Sequence, residues 1–151
     1  MVEGRFWASC SVLKDFLLVC SGNNGQQVLL STERFDPIAC VWEALAPMRR
    51  LRSGACALTV AGRLYLCGGH DRHVVHDSVE VFDPEHGVWR EARPMLQRRS
   101  GAAGAVLGHG LVLLGGNDGG QVLGTAEAYD PEEDVWPLGA SIGVLMVDWV
   151  I

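Results

Sequence analysis

Residues 80–95 read EVFDPEHGVWREARPM, and the same frame occurs at 33–48 as ERFDPIACVWEALAPM and opens again at 127–142 as EAYDPEEDVWPLGASI. Glu33, Glu80 and Glu127 are each 47 residues apart, and so are Trp42, Trp89 and Trp136. Asp36-Pro37, Asp83-Pro84 and Asp130-Pro131 fall in phase with them, as do Ala8, Ala55 and Ala102, Leu17, Leu64 and Leu111, and Gly22, Gly69 and Gly116. No insertion or deletion is needed. A period of about 20–50 residues denotes a solenoid, propeller or array, so it has to be read before any local motif.

Within one period the local pattern is β. The stretch RSGACALTVAGRLYLCGG at 52–69 holds two short apolar runs split by Ala61-Gly62, a turn signal. DSVEVFDPEHGVW at 77–89 then carries a third run with Val79 and Val81 on alternate positions, an Asp-Pro turn and a fourth run around Trp89. Proline presets φ at the first corner of such a turn, and the aspartate accepts hydrogen bonds from the backbone beyond it. Helical periodicity is absent. The expectation is an all-β chain of four-stranded antiparallel units.

The frame Gly-Gly … Glu-x-[Phe/Tyr]-Asp-Pro … Trp … Pro-Met, with Arg-Ser-Gly opening the next unit, resembles the kelch repeat. The resemblance covers residues 5 to about 138. It implies a β-propeller built from unit 1 at 5–48 (divergent), unit 2 at 49–95 and unit 3 at 96–138, followed by an apolar tail at 139–151 that has no repeat partner. In that picture the double glycines Gly68-Gly69 and Gly115-Gly116 allow close backbone approach. Trp42, Trp89 and Trp136 supply the apolar face that one blade turns to the next. Glu33, Glu80 and Glu127 satisfy buried backbone or arginine donors, because a lone buried carboxylate is costly.

The chain departs from that pattern in places. Ser21-Gly22 stands for Gly-Gly in unit 1, and Phe6-Trp7 occupies the place of the later Ser-Gly pairs. Propellers close with about four to eight blades, whereas three units are present. The expectation is therefore an incomplete propeller, marginal alone or completed by another chain. An uncovered apolar face of about 400 Å² forgoes on the order of 10 kcal/mol of burial.

Bulk properties fit. Of 151 residues, 48% are apolar and 20% charged, and 12 basic against 18 acidic side chains leave a net charge of −6. That balance disfavours nucleic acid and anionic membrane as partners. No apolar run approaches a membrane span, and the N-terminal segment lacks the pattern of a secretory signal. Cys10, Cys20, Cys40, Cys56 and Cys67 are odd in number and include no C-x-x-C pair, so buried free thiols in a reducing, cytoplasmic setting are expected.

Connections in an up-and-down blade alternate between two rims. The closest resemblance is to the kelch domains of BTB–kelch adaptors, which bind substrate proteins on the rim of the post-glycine loops. A separate BTB domain in those proteins binds cullin-3. Nothing before residue 5 could be a BTB domain, so this chain by itself is expected to lack a cullin contact. The positions carried over are Asn23, Asn24, His70, Asp71, Arg72, His73, Asn117 and Asp118, with Arg52 and Arg99 just before their Ser-Gly pairs. The two arginines suit an acidic peptide gripped by paired hydrogen bonds, or equally a structural bond to a carboxylate or carbonyl. An actin-binding propeller is the second functional reading.

His70, His73 and His76, with Asp71 and Asp77 among them, look at first like metal ligands. The 47-residue shift sets His70 opposite Asn23 and Asn117, His73 opposite Gln26 and Gly120, and His76 opposite Leu29 and Leu123. Three histidines in three different positional roles are not expected to converge, so no metal or other cofactor is assigned. No nucleophile elbow, phosphate loop or spaced Cys/His set is present, and an enzyme is not expected.

Overall fold

The computed structural model of the chain describes residues 1–137. The apolar stretch at 139–151 lies outside the described residues. Eleven strands run in order: β1 (Ser9–Leu13), β2 (Phe16–Cys20), β3 (Thr32–Asp36), β4 (Val41–Leu45), β5 (Cys56–Val60), β6 (Arg63–Cys67), β7 (Val79–Asp83), β8 (Val88–Ala92), β9 (Ala103–Leu107), β10 (Gly110–Leu114) and β11 (Ala126–Tyr129). They form three antiparallel sheets, β1-β2-β3-β4, β5-β6-β7-β8 and β9-β10-β11. The register repeats with the sequence: Leu17 pairs with Phe35 and Leu64 with Phe82, while Leu111 pairs with Tyr129.

Four strands per unit are expected; among the described residues the third sheet has three, and the positions of its fourth run past residue 137. An isolated bridge between Asp130 and Val135 stands where its fourth strand would start. Pro137 falls 47 residues after Arg90, which pairs with Val81 in the middle of β8. Proline has no N–H to give to the ladder, so position 137 cannot donate there.

The sheets stack face to face through two apolar clusters. Leu13, Leu18, Cys20 and Met48 of unit 1 meet Leu64, Phe82 and Trp89 of unit 2. Tyr65, Cys67 and Met95 of unit 2 meet Leu111, Tyr129 and Trp136 of unit 3. Two tryptophans also donate the indole N–H to the preceding unit: Trp89 Nε1 to Ala46 O at 3.1 Å and Trp136 Nε1 to Arg93 O at 2.9 Å. Trp42 is only half-buried and rests on the Phe35 ring at 5.1 Å, since no sheet stands before it among the described residues.

The double-glycine turn brings neighbouring units together. Gly69 N donates to Arg99 O at 2.8 Å, and Gly22 N to Arg52 O at the same distance. Gly68 has φ +66°, and a Cβ there would collide with the Arg99 carbonyl. Any side chain at this position would push the third unit away.

The expectation of buried thiols holds only in part. Cys20 and Cys67 are buried, but Cys10 and Cys40 are exposed. Cys10 is the counterpart of Ala57, which packs between units 1 and 2, and it faces the open side of unit 1. Cys40 sits in the Asp-Pro turn. Burial pushes the Cys20 thiol up to about 12 and the Cys56 thiol up to about 11, which keeps both protonated and poor nucleophiles.

Candidate protein-interaction rim

One polar ladder recurs in all three units. Glu80 accepts from the Arg49 N–H at 2.7 Å, the Arg50 N–H at 3.2 Å and Arg52 Nε at 3.0 Å. Glu127 accepts from Leu96 N, Gln97 N and Arg99 Nε at 2.6, 3.2 and 2.8 Å. Glu33 accepts from Val2 N, Glu3 N and Arg5 Nη2 at 2.6, 3.3 and 2.6 Å. Burial pushes the Glu33 carboxyl up, yet the Val2 amide and the Arg5 guanidinium together hold it below its ordinary value.

This geometry corrects the assignment of Arg52 and Arg99 as partner contacts. Their side chains are buried, and every guanidinium nitrogen is engaged. Arg52 Nη1 donates to Gly68 O at 2.6 Å and Ser78 O at 3.0 Å, and Nη2 to Ser78 Oγ at 2.7 Å. Arg99 repeats the pattern on Gly115 O, Thr125 O and Thr125 Oγ1. They tie the strand-two end to the strand-three start of their own blade. Sequence reasoning missed the third member, Arg5, which binds Ser21 O, Ser31 O and Ser31 Oγ in the same way. The 47-residue shift already aligned it with Arg52 and Arg99.

The three post-glycine loops share one backbone design. Bridges link Phe6, Asn23 and Val28 in unit 1, Ser53, His70 and Val75 in unit 2, and Ser100, Asn117 and Val122 in unit 3. Asn23 Oδ1 accepts the Gly25 N–H and Asn117 Oδ1 the Gly119 N–H, both at 2.7 Å. His70 Nδ1 does the same work for Arg72 N at 3.2 Å. One residue on, Asn24, Asp71 and Asp118 each accept two further amides through Oδ1. The amides of Gly120 and Gln121 hold the Asp118 carboxyl below its ordinary range, and those of Val74 and His73 do so for Asp71.

Five of the expected contact residues therefore have their side-chain oxygens turned toward their own loop: Asn23, Asn24, Asp71, Asn117 and Asp118. Asn23 is buried outright, which removes it from any contact surface. Arg72 and His73 are exposed and point outward, and Arg98, which the sequence did not single out, joins them. His70 and residues 72–75 with Arg98, Asp118 and Gly119 enclose a cleft of about 410 Å³ between units 2 and 3. A second hollow of about 360 Å³ draws on all three units, with Trp7, Gly54, His70, Val75, Gly101 and Asn117 in its walls. Cations and acids are thus sorted by the turns: the acids serve the backbone, and the arginines face solvent.

The three loop histidines do not share a centre. His70 Nδ1 faces the Arg72 amide, whereas His76 Nε2 lies 3.3 Å from Leu51 O and 3.6 Å from Asp71 Oδ2. Among the described residues the group of metal-ligand type that comes together is Asp83, Glu85 and His86, in the Asp-Pro turn of unit 2. There His86 Nδ1 sits 2.8 Å from Asp83 Oδ2 and holds the Asp83 carboxyl down at about 2.

Antiparallel sheets of about 47 residues each, repeated in phase and packed face to face, are the blades of a β-propeller. Kelch-motif descriptions match residues 51–96 and 98–141, and the chain belongs to the kelch-repeat family. Kelch propellers are in general protein-interaction modules. Kelch-like protein 35 of Mus musculus is 35% identical over 65 residues, covering 43% of this chain and 11% of that protein. Its counterpart in Homo sapiens is 33% identical over 63 residues, covering 42% and 11%. The chain spans only this small share of the curated relatives it matches. Unit 1, outside both matched segments, has the same strand order and the same Arg–Glu ladder.

Proposed function

We propose that the rim carrying residues 23–28, 70–75 and 117–122 is the substrate-recognition face of a cytoplasmic cullin-3 ubiquitin-ligase adaptor, and that it takes an acidic protein segment. The observation that carries this is the cleft between units 2 and 3, where Arg72 and Arg98 stand exposed while the nearby carboxylates are committed to turns. In a chain of net charge −6, a small cationic cleft fits a short acidic segment better than an extended polyanion. The likeness to kelch-like proteins supports the adaptor role. The blades supply the substrate side, and a BTB domain would supply the cullin side.

The binding half is tested with a fluorescein-labelled Asp-rich peptide and the purified chain. Arg72→Ala with Arg98→Ala is expected to weaken binding about tenfold or more, because each charge-assisted hydrogen bond contributes roughly 1.5–3 kcal/mol. Undiminished binding by the double variant rejects it. For the ligase half, proteins captured by the tagged chain and lost with the double variant are expected to live longer when cullin-3 activity is blocked. Unchanged half-lives reject that half.

A further inference from the structure

Three side chains of this chain stand where both other units have left-handed glycines: Ser21, at φ +61° opposite Gly68 and Gly115, is small and buried, whereas the other two are bulky and exposed. Trp7 has φ +52°, and its counterparts are Gly54 at φ +65° and Gly101 at φ +67°. Arg72 has φ +87°, and its counterparts are Gly25 at φ +94° and Gly119 at φ +100°. Glycine takes this region freely, whereas a bulky side chain is strained there. Such strain persists where surrounding structure enforces it, and it clusters at ligand sites.

The two bulky exceptions come from different units and different loops, yet they meet at one residue. The Trp7 indole lies 6.2 Å from the His70 ring at 73°, and the Arg72 amide donates to His70 Nδ1. Trp7 is 66% exposed, so its strain is not offset by burial. The Phe6 and His70 rings stand steeply inclined to it at 5.6 and 6.2 Å, and most of the indole surface is open to solvent. The two hollows described above share His70 and Val75. One is walled by Trp7 and floored by Gly54 and Gly101, which add no side chains. The other is lined by Arg72 and Arg98.

We infer that these hollows form one bipartite groove, in which Trp7 stacks an aromatic side chain of the same acidic segment whose carboxylates face Arg72 and Arg98. The inference rests on the acidic-segment reading and adds to it a specificity residue. Aromatic stacking on an exposed indole supplies contact area at small entropic cost. The cationic half requires the aromatic residue to sit in an acidic context, which commits the occupant to a protein segment of that composition.

The test compares two labelled peptides on the full chain: an Asp-rich peptide with one central phenylalanine, and the same peptide with alanine in its place. Wild type is expected to bind the phenylalanine peptide about tenfold more tightly. Trp7→Gly, which restores the residue of the sibling units, is expected to abolish that preference. The same variant is expected to melt at an equal or higher temperature. Equal binding of both peptides by wild type overturns the inference while leaving the acidic reading in place, and failure of both peptides to bind overturns the two together. A lower melting temperature for Trp7→Gly also overturns it, because Trp7 would then be structural. So does a single-stranded oligonucleotide that displaces the phenylalanine peptide as well as unlabelled peptide does.

Discussion

Arg52 Nε donates to Glu80 Oε1 at 3.0 Å with neither side chain exposed to solvent. The pair survives burial because the remaining donors and acceptors are filled by Gly68 O, Ser78 and the amides of Arg49 and Arg50. Burial pulls the Arg52 guanidinium down from its ordinary value while Glu80 opposes the shift. Removing one member leaves a buried charge without its partner. Arg52→Ala and Glu80→Ala are each expected to lower stability by about 3–5 kcal/mol. Arg50–Glu91, a pair of similar length at 3.0 Å with both side chains half-exposed, provides the control. Arg50→Ala is expected to cost at most about 1 kcal/mol. Urea midpoints compare them, and similar losses at both positions would count against a structural role for the ladder.

The tryptophans are equal in sequence but not in surroundings. Trp89 is 5% exposed and hydrogen-bonded to Ala46 O, so Trp89→Ala is expected to cost about 3–5 kcal/mol. Trp42→Ala removes a half-exposed ring and is expected to cost roughly half of that or less. Denaturant unfolding of the two variants checks the ranking. Equal costs would mean that the open face of unit 1 is covered in solution.

His76 replaces a leucine at the entry to the third strand of its unit, opposite the buried Leu29 and Leu123. Burial and the nearby Arg52 hold its imidazole below the ordinary 6.5, against the opposing pull of Asp71 and the Leu51 carbonyl. The folded protein therefore takes up this proton less readily than the unfolded chain. Stability is fully present above pH 6.5 and falls as pH drops from there toward the lowered folded value. His76→Leu is expected to flatten melting temperature against pH across that window. A wild-type curve already flat below pH 6.5 contradicts the assignment.

Much of the fold was legible in the sequence because blade formation is local. The Asp-Pro turn, the Ala61-Gly62 turn and the alternation around Glu80 act within a few residues, and the period states how many times. The same logic would have exposed Arg5, but Phe6-Trp7 in place of Ser-Gly obscured its match to Arg52.

The repeat, the strand order and the family can be read from the residues alone, since these follow from period and short-range pairing. Which polar residues face outward is settled by packing between distant segments. An arginine before Ser-Gly reads the same whether it points to solvent or folds back onto a glutamate 28 residues away. Its direction depends on whether that carboxylate and the Gly68 or Gly115 carbonyl are within reach. The same holds for Trp7 and Arg72: their residue types were visible, but their left-handed backbones and their meeting at His70 arise only when the units pack.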